Sequence, residues 1–331
     1  MTMALTVFFV RMLGGPPVVQ AEKIKPIQIK FATVAPEGSA WMKSMRDLDR
    51  TLRKKSQGKI GFRLYAGGIA GDELDVLRKI RIGQIHCAAF SGVGFGQILP
   101  MVRILDLPFL FRTEEEIDRA HTELAGYFAD AFLQKGFELL SWAEVGNALV
   151  YSKKPVQKVS DMAKCKIWSW SGDPIAKETF VVMGATPNLL AITDVTTALN
   201  TGMIDTVYGP PLGVLALQWH ANLKYMTTLA LAHSTGSILI SRKFFNKIPH
   251  DLRRLLREEL KKSMDLLTVE LREQSKESVK IIENKGLKAL PLPQGTELEE
   301  FYKVHDRVAQ HFVGDLYPQE LLDRLYRILE R

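Results

Sequence analysis

Three aromatic residues, Trp168, Trp170 and Tyr208, form the most distinctive chemical group in the sequence. Trp168 and Trp170 are two residues apart in a short apolar run, and side chains at that spacing on a strand point to the same face. Two serines, Ser169 and Ser171, are interspersed with them, which gives the group the composition of one wall of a ligand pocket. Two tryptophans at this spacing are equally typical of a protein core. Both interpretations stay open at this point.

The sequence lacks the common motifs for catalysis, nucleotide binding and metal binding. The run from Gly92 to Gly96 follows a predicted strand, but a dinucleotide loop needs a third glycine where Gln97 stands. We interpret this run as a flexible turn that lines a cleft. His305 and His311 are six residues apart and therefore do not share a helical face. We expect neither a metal site nor a cofactor.

The stretch from 146 to 211 predicts the elements that position the aromatic group. Its elements, in order, are a strand at 148–151, a strand at 166–170, a helix from Pro174 to Gly184, a helix at 193–201 and a strand at 203–208. This order describes half of an α/β domain, and such domains bind ligands at the carboxyl ends of their strands. The three aromatic residues lie at those ends.

The remainder of the chain predicts a second unit and a long helix. Residues 27–90 follow a β-α-β-α-β pattern, which is typical of a parallel sheet. Strands are predicted at 224–231 and 237–241. Apolar residues then recur at helical spacing from 251 to 285, more than twice the length of an average helix. A chain of 331 residues suits two domains, which that helix could brace.

Composition excludes several classes of protein. The chain is 46% hydrophobic and 24% charged, and its 44 basic and 37 acidic residues are interspersed. Because no basic run with interleaved aromatic residues is present, we expect no nucleic-acid partner. Cys87 and Cys165 show neither CxxC nor zinc-like spacing, so we expect two buried free thiols.

The amino terminus has the outline of a secretory signal peptide. An apolar run at 3–10 is followed by a Gly-Pro break and by the small residue Ala21, although Arg11 follows the apolar run rather than preceding it. We expect residues 1–21 to be removed and the mature protein to be periplasmic. The rest of the sequence has no apolar run of the roughly 18 residues needed to span a bilayer.

Five short segments resemble the solute-binding subunit of tripartite ATP-independent periplasmic (TRAP) transporters, and the resemblance extends over almost the whole chain after residue 25. The segments are Gly67-Gly68-x-x-Gly71-Asp72-Glu73, Asp106-Leu107-Pro108-Phe109-Leu110-Phe111, Lys153-Lys154-Pro155-Val156 with Asp161 and Lys166-Ile167, Gly184-Ala185-Thr186-Pro187, and 194–202 with Asp205. Each segment is short, and their common order and spacing carry the resemblance.

The resemblance implies an α/β, two-lobed periplasmic-binding-protein fold with a long helix bracing both lobes. We expect lobe I to comprise 25–145 plus 236–272, and lobe II to comprise 146–235 plus 273–331, so that the chain crosses between lobes three times. The family also implies a small-molecule ligand held between the lobes and the membrane-integral TRAP transporter subunits as partners.

This sequence departs from the family where ligands are held. Members usually bind organic acids through an arginine that pairs bidentately with a carboxylate, and Trp168 stands at that position here. In the sialic-acid-binding members a second arginine matches Ala148, an asparagine matches Gly209, and acidic and asparagine contacts match Ser91 and Val34. All five departures replace charged or amide groups by apolar or small ones.

We therefore expect an apolar or amphipathic ligand, because burying a carboxylate without its cation is costly. The predicted ligand-binding residues are Trp168, Trp170, Tyr208, Gly209, Ala148, Ser91, Phe95, Val34, Leu190 and Trp219. One branch of the family works with a periplasmic tetratricopeptide-repeat protein and is thought to handle hydrophobic ligands, which makes such a protein a candidate partner. Two alternatives remain: an organic-acid binder whose cation is Lys153, Lys154 or Arg63, and a cleft enzyme.

Overall fold

The computed structural model describes residues 26–331. The predicted signal peptide at 1–21 lies outside these residues. The described strands are β1 Ile27–Ala32, β2 Ile60–Tyr65, β3 Cys87–Ser91, β4 Phe137–Ser152, β5 Trp168–Trp170, β6 Asn188–Leu190, β7 Thr206–Gly209, β8 Tyr225–Met226, β9 Ala232–Ser241 and β10 Lys288–Ala289. The helices are α1 Ala40–Lys55, α2 Glu73–Arg81, α3 Gly92–Gly96, α4 Glu114–Gln134, α5 Pro174–Val182, α6 Val195–Thr201, α7 Pro211–Ala216, α8 Arg242–Phe245, α9 His250–Asn284, α10 Thr296–His311 and α11 Gln319–Ile328.

The amino-terminal part forms the predicted β-α-β-α-β unit. Strand β1 lies between β2 and β3 and is parallel to both, with Ile27 opposite Ile60 and Phe31 opposite Cys87. Helices α1 and α2 make the two crossovers, and each begins at a side-chain cap. Ser39 accepts the N–H of Met42 at 3.3 Å, and Asp72 caps α2. The parallel unit predicted from 27–90 is confirmed.

Two long antiparallel strands, β4 and β9, join the amino-terminal unit to the rest of the chain. The first part of β4 pairs with β9, which in turn pairs with β3. The last residues of β4 pair instead with β7 and β8. The predicted crossings near 145 and 235 fall within these two strands, whereas the lobe boundaries themselves stay a prediction.

The long helix predicted at 251–285 is α9, which has 35 residues. It packs against α1, β4 and α7. Its buried residues include Leu252, Leu256, Leu260, Met264, Leu267, Leu271 and Ile282, as the helical spacing predicts, while Val279 is half-buried. Arg272 fixes its middle by pairing with Glu144 on β4 and Asp118 on α4. The bracing helix is confirmed.

Three local predictions are wrong or incomplete. The strand predicted at 224–231 is only Tyr225–Met226, because the Thr227 hydroxyl takes the N–H of Val150 and donates to the carbonyl of Leu229. The strand predicted at 203–208 begins at Thr206. Both cysteines are free, but Cys165 is half-buried rather than buried.

Candidate functional site

A cavity of about 220 Å³ lies where the carboxyl ends of β1, β3 and β5 meet β4, β7 and β9. It is much larger than the roughly 10–15 Å³ that one water needs. The predicted site residues that line it are Val34, Ser91, Ala148, Trp168, Trp170, Tyr208, Gly209 and Trp219. The structure therefore brings together, at strand ends, residues that are far apart in sequence.

Phe95 and Leu190 are not among the residues that line this cavity. The side chain of Phe95 is fully buried in the core, where it packs edge-on against Phe132 of α4 and against Trp142. Leu190 contributes its backbone instead, since its carbonyl accepts the indole N–H of Trp168 at 3.0 Å. Neither contact predicted for these two side chains is supported by their positions.

The aromatic group forms one continuous wall. The ring of Trp168 stacks on Tyr208 at 5.0 Å, meets Trp219 edge-on at 5.3 Å and lies 6.0 Å from Trp170. Trp168 is only 2% exposed. The two interpretations of the tryptophan pair thus combine, because the rings are packed in the core and also face the cavity.

The indole N–H groups of this wall are already used within the protein. Trp168 donates to Leu190, Trp170 donates to the Asp72 carboxylate at 2.9 Å, and Trp219 donates to the Thr196 hydroxyl at 3.1 Å. Buried indoles usually find such partners. The three tryptophans therefore present ring surface, and not hydrogen-bond donors, to the cavity.

A buried arginine, Arg103, also lines the cavity, and the sequence analysis did not identify it. It lies on a 3₁₀ helix at Pro100–Asp106. Its guanidinium pairs with Asp106 at 3.3 Å and with Asp173, the cap of α5, and all three side chains are at most 8% exposed. Two carboxylates thus face one cation, and the group adds no net positive charge.

The ionisation of Asp106 reflects this crowded setting. Burial raises the pKa of Asp106 to about 7, although the neighbouring Arg103 opposes the rise. One Asp106 oxygen accepts the N–H of Thr235 at 3.1 Å. The charge of this part of the cavity is therefore neutral or negative near neutral pH.

The glycine run at 92–96 makes room for buried charged groups. It is not the flexible turn that we expected but the short helix α3, with every residue buried. A Cβ at Gly92 would lie 2.0 Å from Asp106 Oδ2, one at Gly94 would lie 2.6 Å from Glu73 Oε2, and one at Gly96 would lie 2.5 Å from Arg103 Cδ. Glycine is required here by close approach rather than by phosphate binding.

Glu73 packs against α3 at Gly94. Its carboxylate accepts the N–H groups of Ser91 and Gly94 at 2.8 Å each and the Ser91 hydroxyl at 3.0 Å. Burial raises the pKa of Glu73 to about 7, and these hydrogen bonds oppose the rise. The hydroxyl of Ser91, a predicted ligand contact, is therefore committed to Glu73.

His233 on β9 is a second cavity residue that the sequence analysis did not identify. Its Nδ1 lies 3.0 Å from Asn147 Oδ1 and 3.7 Å from Glu144 Oε1. Within the described part of the chain, its Nε2 has no hydrogen-bond partner. Burial holds the pKa of His233 well below its usual range, and His121 and Arg272 act in the same direction. The ring is therefore neutral.

The substitute cations that we considered do not reach the cavity. Arg63 is exposed and lies 5.3 Å from the ring of Tyr65, Lys154 is exposed, and Lys153 is half-buried away from the lining. Among residues 26–331, Arg103 is the only lysine or arginine in the cavity wall. The prediction of Lys153, Lys154 or Arg63 as the relocated cation is wrong.

Neither a metal centre nor a membrane span is found among the described residues. In the range 26–331, His, Cys, Asp and Glu side chains form no group of three or more that could hold a metal ion. No helix in that range combines the length and apolar character needed to cross a bilayer.

Comparison with known proteins identifies a family and a fold. The family described as "bacterial extracellular solute-binding protein, family 7" matches residues 31–315. The C4-dicarboxylate-binding periplasmic protein DctP of Rhodobacter capsulatus is 22% identical over 292 residues, which cover 86% of this chain and 87% of that protein.

Two solved structures have the same fold. The sugar-acid-binding protein DctPAm of Advenella mimigardefordensis, in complex with galactonate, is 19% identical with a TM-score of 0.87 and covers 93% of this chain and 99% of its own. A TRAP periplasmic solute-binding protein of Shewanella oneidensis with bound succinate is 19% identical, with a TM-score of 0.86. The alignment covers 92% of this chain and 99% of that protein. The predicted two-lobed α/β fold is confirmed.

Proposed function

The chain belongs to family 7 of the bacterial extracellular solute-binding proteins, and we propose that its cavity binds a hydrophobic or amphipathic small molecule rather than an organic acid. It is a periplasmic, TRAP-type solute-binding protein, and the role of its family is to bind a solute for transport rather than to catalyse a reaction. The family assignment alone does not determine which solute is bound.

The observation that carries the proposal is the charge balance of the cavity. The one guanidinium in the described lining is shared by Asp106 and Asp173. The family resemblance matches Trp168 to the position where members usually have an arginine. A carboxylate placed here would be buried without a cation of its own, which is costly. The aromatic wall instead offers dispersion and area burial to an apolar body.

An organic acid held by Arg103 is the second candidate. It is favoured by the position of Arg103 in the cavity wall and by the acids bound to proteins of the same fold, succinate and galactonate among them. Such binding requires Arg103 to exchange Asp106 or Asp173 for the ligand carboxylate. Because burial raises the pKa of Asp106 to about 7, this carboxylate is partly protonated near neutral pH.

We also propose the membrane-integral TRAP subunits as the partners that receive the ligand, on the strength of the family assignment. A periplasmic tetratricopeptide-repeat protein is proposed as a further partner on the apolar character of the cavity alone. Co-purification of tagged protein with such a partner from its own periplasm tests this second association, and its failure leaves the ligand proposal intact.

Calorimetric titration of the wild type, Trp168→Arg and Trp168→Phe tests the ligand proposal. The ligands are octanoate, its neutral methyl ester and succinate. We expect the wild type to bind the ester and not succinate, and Trp168→Arg to weaken ester binding about tenfold, the equivalent of roughly 60 Å² of lost apolar contact at about 25 cal/mol/Å². Trp168→Phe keeps an apolar ring and should weaken it less. Tight succinate binding by the wild type, without response to the ester, would favour the second candidate.

A further inference from the structure

The lining of the cavity divides into a buried part and a part that is open to solvent. The charged residues of the lining are all buried, and they are Glu73, Arg103, Asp106 and Asp173. The partly exposed lining lies mainly in two segments, 34–41 and 209–217, and neither segment contributes a charged side chain to the wall. The end of the cavity nearer to solvent therefore offers contact area rather than charge.

Helix α7 forms one side of this open end. Four of the lining residues lie one, four and five positions apart, which places them on one face of the helix. They are Leu212, Gly213, Ala216 and Leu217. Tyr208, which stacks on Trp168, precedes the first residue of α7 by three positions. Because five helical residues rise about 7.5 Å, the lining continues from the aromatic wall along α7 for about that distance.

The lining face of α7 has open space beside Gly213. A Cβ at this position would meet only Pro210 Cδ, at 4.0 Å. The φ angle of Gly213 is not positive, so the backbone does not require glycine here. Trp41 of α1 and Leu212 of α7 both line the cavity and pack against the core cluster that contains Leu271 of α9. We define the α7 groove as the part of the cavity lined by Trp41, Leu212, Gly213, Ala216 and Leu217.

We propose that the α7 groove binds one end of an elongated apolar ligand whose other end packs on the aromatic wall, and that the missing side chain at Gly213 sets the length that is accepted. The inference rests on the proposed function and specifies the shape of the ligand. Each methylene that a chain buries in the groove should raise the affinity about fourfold. The cavity then selects its ligand by length and apolar area, and not by a charged group.

A series of neutral straight-chain alcohols tests the dependence of affinity on length. The probes are 1-hexanol, 1-octanol and 1-decanol, which share one hydroxyl and differ only in the number of methylenes. Each is titrated into the wild-type protein by calorimetry, and succinate is titrated beside them. We expect the affinity to rise about fourfold per methylene across the series, because the added methylenes enter the groove.

Three variants assign the length dependence to the α7 groove. Gly213→Leu places a side chain in the groove and should reduce the gain to less than about twofold per methylene, with hexanol binding little changed. Trp41→Ala removes lining on the α1 side and should also reduce the gain. Gly126→Leu is the matched control, because Gly126 is an exposed glycine of α4 that does not line the cavity, and a Cβ there meets no atom within 4 Å. Thermal midpoints establish that each variant is folded, and Trp41→Ala carries the test if Gly213→Leu does not fold.

The outcomes distinguish the two proposals. Equal affinity for the three alcohols in the wild type, or a gain per methylene that is the same in Gly213→Leu as in the wild type, overturns the role of the α7 groove and leaves an apolar ligand in place. Binding of succinate without binding of any alcohol overturns the proposed function itself. Failure of all four probes to bind up to their solubility limits overturns both.

Discussion

Replacing Asp173 by asparagine leaves the buried Arg103 with one carboxylate instead of two. The side chains of Arg103 and Asp173 are 5% and 8% exposed, so solvent screens the pair poorly. Asparagine keeps an oxygen in the cap of α5, where Asp173 accepts the N–H of Ala176 at 3.1 Å. The variant therefore changes the charge and little else.

The cost follows from the burial of the pair. Removing one partner of a buried ion pair costs about 3–5 kcal/mol, and we expect about 3 kcal/mol here because Asp106 still faces Arg103. The released positive charge should also give the cavity measurable affinity for succinate. Added succinate should then recover part of the lost stability, since a ligand that binds only the folded state stabilises it.

Urea denaturation near neutral pH, with and without succinate, measures both effects. Asp265→Asn is the matched control, because Asp265 pairs with Lys261 on the exposed face of α9 and should contribute less than about 1 kcal/mol. A loss of under about 1 kcal/mol in Asp173→Asn, equal to that of the control, would contradict the charge balance inferred for the cavity.

The remaining predictions concern the bracing helix and the buried carboxyl of Glu73. Leu260→Ala should lower the free energy of unfolding by about 2–5 kcal/mol because Leu260 is fully buried, whereas Leu266→Ala on the same helix, at a side chain 73% exposed, should change it by under about 0.5 kcal/mol. Equal effects in denaturant titration would mean that the buried face of α9 is misassigned. Glu73 has a pKa near 7 when folded and 4.5 as its ordinary value, so the folded state binds the proton more tightly. Its contribution to stability should fall by about 3 kcal/mol as pH rises from 4.5 to 7, and Glu73→Gln should flatten that slope even if it is less stable throughout. A wild-type slope unchanged by the substitution would assign the effect to another group.

The sequence predicted the elements whose signals are local. The β-α-β-α-β unit and α9 follow from apolar periodicity and from caps such as Ser39, which depend on neighbouring residues only. The prediction of a strand at 224–231 was wrong because the Thr227 hydroxyl forms hydrogen bonds with the backbone, in competition with the hydrogen bonds between strands. Strand propensities of single residues do not account for that competition.

The sequence predicted those residues of the candidate site whose place in the site follows from their position at the end of a strand. Trp168, Trp170 and Tyr208 lie at strand ends, and ligands bind at the ends of strands in this class of fold. Phe95 was misplaced because its direction depends on Phe132, which packs against it from α4. The side chain of an aromatic residue beside a predicted cleft can face the cleft or the core, and tertiary packing determines which.

The sequence analysis did not identify the polar residues of the cavity wall, such as Arg103 and His233, because their partners are distant in sequence. Arg103 meets Asp173 across 70 residues, and His233 meets Asn147 across 86. A charged side chain with no visible partner is normally assigned to the surface. The glycines at 92, 94 and 96 were the available signal, since they leave room for Arg103, Asp106 and Glu73.

Native mass spectrometry of the protein purified from its own periplasm tests most directly whether the cavity holds a neutral molecule. The complex is weighed intact, and the bound molecule is then released in organic solvent and identified by its exact mass and fragmentation. We expect a neutral, largely apolar molecule. A stoichiometrically retained dicarboxylate or sugar acid would contradict this expectation and would assign Arg103 as the anchor of a conventional acid site.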